Sequence, residues 1–420
     1  MPARTPATIP GNITVIGAGI VGMSCARWLQ RDGRAVTVID PSPPGESCSF
    51  GNAGIISMGS VVPLATPGML RRLPGYLLDP LGPLTVRWRY LPQLAPWLIR
   101  LLAAGRPRRF GPIADALRAL NAPALDAYRT LLAPEDFADL IRHEGVLYVY
   151  ESETALDADA EGWKMRRARG VRFTRLGCDE LRQVEPALGP GFACAVLVED
   201  AAHVVNSHRL VTSLAERFLS DGGRILAERV GDVEIGDAGP RAVLTDRGRR
   251  ACDALVVAAG AWSRGLAARL GNRVPLETER GYHVTLPSPG VTPRRPVAFP
   301  AGGFIATPME MGLRIAGTVE LGGLEAPPDY RRTKALLEHG RRLFPGLDGE
   351  DVSEWMGFRP SLPDSLPVIG RSSRVGGVYY AFGHGHLGLT EGAITGKLVA
   401  ELVAGRPTSI DVRPYRPDRF

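Results

Sequence analysis

The first strand-turn-helix constrains this chain most: Ile13-Thr14-Val15-Ile16-Gly17-Ala18-Gly19-Ile20-Val21-Gly22. A β-branched apolar run enters a glycine turn, and a helix follows through Met23, Cys25, Ala26, Trp28 and Leu29. A second strand, Ala35-Val36-Thr37-Val38-Ile39, ends on Asp40. This is G-x-G-x-x-G with a strand before it, a helix after it and an acid closing the next strand, the context a dinucleotide requires. Gly17 makes the tight turn, Gly19 lets a pyrophosphate approach the backbone, and Gly22 lets helix and strand pack closely. The N–H groups at the helix start face the phosphates, and Asp40 suits ribose hydroxyls. The alternative, a glycine turn for packing alone, does not account for the framing strands and the acid. The motif does not separate a flavin dinucleotide from a nicotinamide one.

At 420 residues the chain is expected to form two domains. Only Lys164, Lys334 and Lys397 among the 50 basic residues are lysine, read here as compositional bias. The net charge of +6 is uneven: eight arginines between Arg71 and Arg109 face one acid, Asp79, so the remainder is close to neutral. Nucleic-acid binding is not expected of such a chain. Cys25, Cys48, Cys178, Cys194 and Cys252 are odd in number and without C-x-x-C spacing, which argues for reduced thiols in a cytoplasmic compartment over disulfides or zinc. Residues 1–11 read as a frayed leader. No run reaches the roughly 18 uncharged apolar residues of a membrane span.

A Pro/Gly/Ser loop over 41–60 follows Asp40 and suits an extended cofactor, or else a plain surface loop. Residues 61–110 are apolar, proline-rich and basic, and read as a lid over the substrate or a face that docks on an anionic membrane. Val146–Tyr150 and Ala195–Val198 read as strands, Asp157–Gly170 and Ser207–Leu219 as helices, and Arg224–Val230 as a strand of the nucleotide-binding sheet. Ala254-Leu255-Val256-Val257-Ala258-Ala259-Gly260-Ala261-Trp262 is a buried parallel strand with a small-residue end. Residues 274–320 carry a β-pattern that suggests an antiparallel sheet. A second strand-glycine-helix unit, Val378–Phe382 into Gly383-His384-Gly385-His386-Leu387-Gly388-Leu389-Thr390, offers another positive helix end. The fold class is therefore α/β with α+β: a discontinuous Rossmann-like dinucleotide-binding domain and an inserted substrate domain on an antiparallel sheet. The expected division is 1–70, 173–262 and 356–420 for the first, and 71–172 and 263–355 for the second.

Taken together, the opening motif, the Ala-Ala-Gly-Ala-Trp strand end, Phe358-Arg359-Pro360 with Pro363-Asp364 and Ile369-Gly370, and Phe382-Gly383-His384-Gly385 resemble the FAD-dependent D-amino acid oxidase and dehydrogenase superfamily, which includes glycine and sarcosine oxidases. Ser49-Phe50-Gly51-Asn52-Ala53-Gly54 resembles its bacterial D-amino acid dehydrogenase branch. The likeness to glyphosate oxidoreductase-like proteins is closer, through Leu77–Pro80, Pro96–Arg100, Ile141–Gly145, Thr278–His283, Ala306–Gly312 and Met356–Gly370.

The resemblance implies FAD. Gly17, Gly19, Ile20, Val21, Gly22 and Asp40 would hold its ADP half, and Val230 its adenine. Ser47, Ser49, Asn52, Ala53, Gly54 and Ile56 would line ribityl and flavin, and Ala259, Gly260 and Trp262 would cover the middle. Gly385, His386, Leu387, Gly388, Leu389 and Thr390 would reach the flavin ring. Cys48 is a conceivable thioether link, with tight noncovalent binding preferred. The implied chemistry is hydride transfer from a neutral amine to the flavin, then imine hydrolysis, with no protein acid or base strictly needed. Arg359 is the first choice for the substrate's anionic group; the alternative is a structural pair with Asp364. Tyr282 and His283 fall on opposite faces of a strand, so only one easily faces the flavin. Arg280 is a second anion contact or a surface charge, and His384 and His386 flank the flavin edge without metal-site spacing.

The expected partners are a small amine or amino acid with an anionic group, and oxygen or a quinone as electron acceptor. The alternatives are a D-amino acid dehydrogenase that feeds membrane quinone through peripheral contact at 71–109, and a flavin-binding electron-transfer subunit without turnover. A nicotinamide enzyme is disfavoured by the small-residue loop after Asp40 and by the second glycine turn.

Overall fold

The opening apolar run forms the strand Asn12–Ile16 inside a six-stranded sheet. This computed structural model describes residues 11–66, 82, 84–349 and 351–420; the leader and the 67–81 part of the basic stretch lie outside the described residues, as does Pro83. On one side Asn12–Ile16 pairs in parallel with Ala35–Asp40, and that strand with Arg224–Ala227. On the other side come Ala254–Val257 and Val378–Phe382, also parallel, and then Val368–Arg371 as an antiparallel edge. Ala254–Val257 is buried at all four positions, as a parallel strand covered on both faces should be. The strand ends are tied at the turn: Gly17 N–H donates to the Ile39 carbonyl at 2.9 Å, and Ala258 N–H to that of Ile16 at 2.8 Å.

One face of this sheet carries the helices Ile20–Arg31, Ser207–Ser220 and Gly388–Val403, with Ala124–Leu131 behind them. The other carries the three-stranded antiparallel sheet Val230–Gly236, Gly239–Thr245 and Gly248–Ala251, and the helix Ser263–Arg269. Asn206 caps Ser207–Ser220, its side chain accepting from the N–H groups of His208 and Arg209. The expected helix over 157–170 is two helices, Glu153–Ala158 and Ala160–Ala168, broken at Asp159.

Among the described residues the second sheet has nine strands and is mostly antiparallel. Its long strand Glu277–Leu286 lies between Gly312–Leu321 and Ser353–Ser361. Phe304–Met309, Val297–Phe299, Val146–Tyr150, Cys194–Val198 and Phe173–Leu176 continue it in that order, and Leu84–Val86 joins the far end of Gly312–Leu321. Helix Arg331–Leu343 covers one face. Two expected boundaries thus fall inside this sheet rather than between sheets. Phe173–Leu176 and Cys194–Val198 lie beyond 172 yet belong with Val146–Tyr150, and Ser353–Ser361 straddles 355/356. A short apolar strand shows its burial in its sequence but not which distant strand it joins.

Helices Ile20–Arg31 and Gly388–Val403 approach through glycine. A Cβ on Gly396 would lie 2.6 Å from the Ser24 carbonyl and 2.8 Å from the Trp28 ring. Gly396→Val should therefore destabilise the fold by about 1–3 kcal/mol through overpacking, read as a lowered urea midpoint; an unchanged midpoint would contradict this packing.

Candidate active site

The two sheets enclose a cavity of about 880 Å³ that runs from the first glycine turn to the floor of the nine-stranded sheet. Gly17, Gly19, Ile20, Val21 and Asp40 line its first end, with Val230 beside them. Asp40 is fixed there by two backbone amides: Ala18 N–H donates to Oδ2 at 2.8 Å and Ser42 N–H to Oδ1 at 2.9 Å. Ser49 Oγ accepts from Ile20 N–H at 3.0 Å, which leaves its own proton free to point at an anion. Gly22 stands behind the wall. A Cβ on it would lie 1.9 Å from the Gly17 carbonyl oxygen, so its part is packing.

Ser47, Cys48, Asn52 and Ala53 line the middle, opposite Ala259, Gly260 and Trp262. Gly54 and Ile56 do not: Gly54 turns at φ +78° with its N–H on Asn52 Oδ1, and Ile56 is buried against the strand Ala202–Val204, leaving Ile55 to face the cavity. At the far end are Gly385, His386, Leu387, Gly388 and Leu389. No side chain caps the helix that starts at Gly388, so its first N–H groups are available there. Thr390 is one step back, accepting from Ser57 N–H at 3.0 Å.

The floor is backbone. Gly281 and Gly357 are cross-strand partners, and Gly317 lies across from Tyr282. A Cβ on Gly281 would sit 2.2 Å from the Arg359 guanidinium, and one on Gly357 1.9 Å from the Trp355 ring. Arg359 reaches into the cavity and donates to the Thr318 carbonyl at 3.1 Å. Thr318 sits in the left-handed region at φ 56°, beside the register shift that interrupts the pairing of Glu277–Leu286 with Gly312–Leu321. That conformation costs a β-branched residue about 1–3 kcal/mol and turns the carbonyl onto Arg359. Asp364 is not Arg359's partner, for it pairs with Arg419 at 2.7 Å. Among the described residues Arg359 has no carboxylate within ion-pair distance.

Several expected side chains lie elsewhere. Arg280 is fully buried on the opposite face, held by Glu320 and by the carbonyls of Gly323, Ala326 and Pro327; it is neither an anion contact nor a surface charge. Tyr282 borders the cavity, but its hydroxyl donates to Glu320 at 2.6 Å, and burial pushes its pKa up to about 12. His283 shares the face of Arg359 but lies beneath Trp355, stacked at 5.1 Å, with Nδ1–H on the Gly51 carbonyl at 3.1 Å. His384 borders the cavity, yet its Nε2 meets Thr395 Oγ1 at 3.0 Å. His386 borders the cavity with much of its surface accessible; desolvation within the site and the nearby Arg359 lower its pKa to about 4. Burial raises the Cys48 thiol to about 11, against a smaller opposing pull from Arg359, so the thiol stays protonated and a poor nucleophile.

Three residues escaped the sequence reading. Trp355 and Tyr148 line the cavity, Tyr148 as the one half-buried position of the strand Val146–Tyr150. Buried Arg314, a charge set in an apolar strand, donates to the Phe50 carbonyl at 3.0 Å and the Asn52 carbonyl at 2.8 Å, pinning the loop that His283 holds at Gly51.

The arrangement fits FAD. Gly260 and Gly385 both line the cavity at positive φ, with open space where a Cβ would stand. Two helix starts, an amide-held acid and a backbone floor supply what pyrophosphate, ribose and a planar ring require. Fold and site together define a flavin-dependent oxidoreductase. Residues 12–402 match the family described as DAO, FAD dependent oxidoreductase, and the chain belongs to that family. It is 41% identical to a D-amino-acid oxidase of Bradyrhizobium diazoefficiens over 97% of this chain and 99% of that one. It is 32% identical to a D-amino acid dehydrogenase of Sinorhizobium medicae, over 97% and 99%. Its fold matches an iminodiacetate oxidase of Chelativorans at TM-score 0.72 and 26% identity, over 96% and 98% of the two chains. A glycine oxidase of Geobacillus kaustophilus, at TM-score 0.73 and 21% identity over 98% and 99%, shares the fold. The chain is thus an FAD-dependent oxidoreductase of amino acids or amines.

Burial lowers the pKa of His283 and His384 to about 3 and that of His203 to about 4. These folded-state values lie below the unfolded value near 6.5, so the unfolded chain takes up protons first. The stability they confer is present above pH 6.5 and is lost as pH falls toward 3. Each contributes a slope of up to about 1.4 kcal/mol per pH unit in that window. Urea midpoints should fall between pH 7 and pH 5, less steeply in His384→Gln; a flat profile would contradict buried neutral rings.

Proposed function

We propose that this chain oxidises the C–N bond of a small glycine-like, N-substituted glycine or aminophosphonate substrate, as an enzyme of the glyphosate oxidoreductase-like type. The observation that carries the reading is Arg359: a guanidinium at the cavity, held by one carbonyl and paired with no carboxylate among the described residues. Its fork suits a carboxylate or phosphonate in a two-pronged hydrogen bond. Bound FAD supplies the two-electron acceptor, without a covalent link through the protonated Cys48. A hydride leaves the α-carbon, the amine lone pair closes a C=N bond, and water then releases an aldehyde or oxo acid and an amine. With pKa values pushed down to about 3 to 4 by burial, His283, His384 and His386 are neutral rings at pH 7 and add no positive charge for the substrate. The substrate amine loses its proton to solvent before reaction. Oxygen or a quinone takes the electrons onward, and the free cysteines suit a cytoplasmic setting.

Arg359→Ala should keep bound FAD and its yellow colour but weaken substrate by about 3–5 kcal/mol, seen as a raised KM and a raised Kd for carboxylate inhibitors. Unchanged constants would overturn the reading.

A second reading, a D-amino acid dehydrogenase that delivers electrons to membrane quinone, is favoured by one surface feature. Trp88 and Ile99 are 64% and 67% exposed, beside exposed Arg89 and Arg100. No helix among the described residues is long and apolar enough to cross a membrane, so such contact would be peripheral. It predicts sedimentation with anionic vesicles at low salt, released at high salt and abolished in Trp88→Ser/Ile99→Ser; equal recovery in the supernatant at both salts would exclude it.

A further inference from the structure

Behind the Gly385 turn lies a smaller cavity of about 180 Å³ that shares Tyr148, His386 and Leu387 with the large one. Arg166, on the helix Ala160–Ala168, forms part of its wall. Its guanidinium carbon stands 4.6 Å from the centre of the Trp163 ring and 6.0 Å from that of Tyr148. Trp163 is itself fixed, its indole N–H donating to the Tyr150 hydroxyl at 3.0 Å. Of the neighbouring cations, Arg169 pairs with Asp115 at 2.7 Å, Arg172 with Asp200 at 2.9 Å and Lys164 with Glu161 at 2.7 Å, while Arg167 lies outside the recess over the Phe173 ring at 4.9 Å. Arg166 has no carboxylate and no side-chain hydrogen bond among the described residues, and the Tyr148 hydroxyl has none either. A cation oriented by two aromatic rings and a free hydroxyl therefore share one polar recess that opens on the site of Arg359.

We infer that Arg166 and Tyr148 form a second anion subsite, which selects amino acid substrates with a second anionic group, a carboxylate or phosphonate borne on the nitrogen substituent or the side chain. This rests on the reading of Arg359 as the anchor for the first anionic group. The guanidinium pairs the distal anion from one side, and the Tyr148 hydroxyl donates to it from the other. Selectivity arises because a mono-anionic ligand leaves both donors to water, at no loss and no gain.

The test uses the FAD-loaded enzyme and non-oxidisable ligands, acetate against malonate, succinate and glutarate, with Kd read from the flavin difference spectrum. At least one dicarboxylate should bind about tenfold to a hundredfold more tightly than acetate, the effect of a hydrogen-bonded charge. Arg166→Met should collapse that ratio toward one, Arg166→Lys should restore part of it, and Tyr148→Phe should reduce it. Among substrates, Arg166→Met should raise KM for iminodiacetate relative to sarcosine while kcat changes little for either. A ratio near one in the parent enzyme, or a ratio untouched by Arg166→Met, overturns the subsite. If Arg359→Met leaves acetate binding intact, the anchor itself is wrong, which separates failure of the first reading from failure of this one.

Discussion

Backbone meets backbone at Gly17. A methyl group there would stand 2.3 Å from the Ala258 carbonyl oxygen, and one on Gly22 1.9 Å from the Gly17 carbonyl oxygen. This contact joins the first strand, its turn and helix, and the buried strand Ala254–Val257 into one junction. No side chain can enter it, so the helix Ile20–Arg31 begins directly beyond the strand ends. Asp40, Ser49 and Ala259 meet around the same point, and the dinucleotide end of the cavity follows from it.

The reacting end depends on a different economy of side chains. Gly281, Gly317 and Gly357 leave the floor bare, and Arg359 projects over it. The strained backbone of Thr318 and the neighbouring shift in register hold that guanidinium from below. Arg314 and His283 reach up from the same sheet to catch three successive carbonyls of the loop 50–52. The nine-stranded sheet thereby fixes both Arg359 and the loop 50–52 at the cavity.

Much of this was legible because it is local. The glycine turns, the acid after the second strand and the small-residue end of Ala254–Val257 each declare themselves within a few residues. So did Arg359, a lone guanidinium in a Gly-x-Arg-Pro stretch. The misplaced side chains depend on long-range pairing. Tyr282 and His283 could be assigned to opposite faces of a strand, but nothing nearby states that Glu320 would hold both Arg280 and Tyr282 on the far side. His283 lies on the near face and is removed from it only by Trp355, about seventy residues away along the chain. Likewise Phe173–Leu176 and Cys194–Val198 carry no mark of the sheet they join.

A cavity shaped for FAD, with Arg359 paired to no carboxylate among the described residues and set over a bare floor, is proposed to take a hydride from a small amino acid. Anaerobic mixing of the purified yellow protein with glycine, sarcosine, D-alanine, D-proline, iminodiacetate and glyphosate tests this most directly. The flavin band should bleach with at least one of the N-substituted glycines and return when air or a quinone is admitted. A yellow protein that none of these ligands bleaches would contradict it.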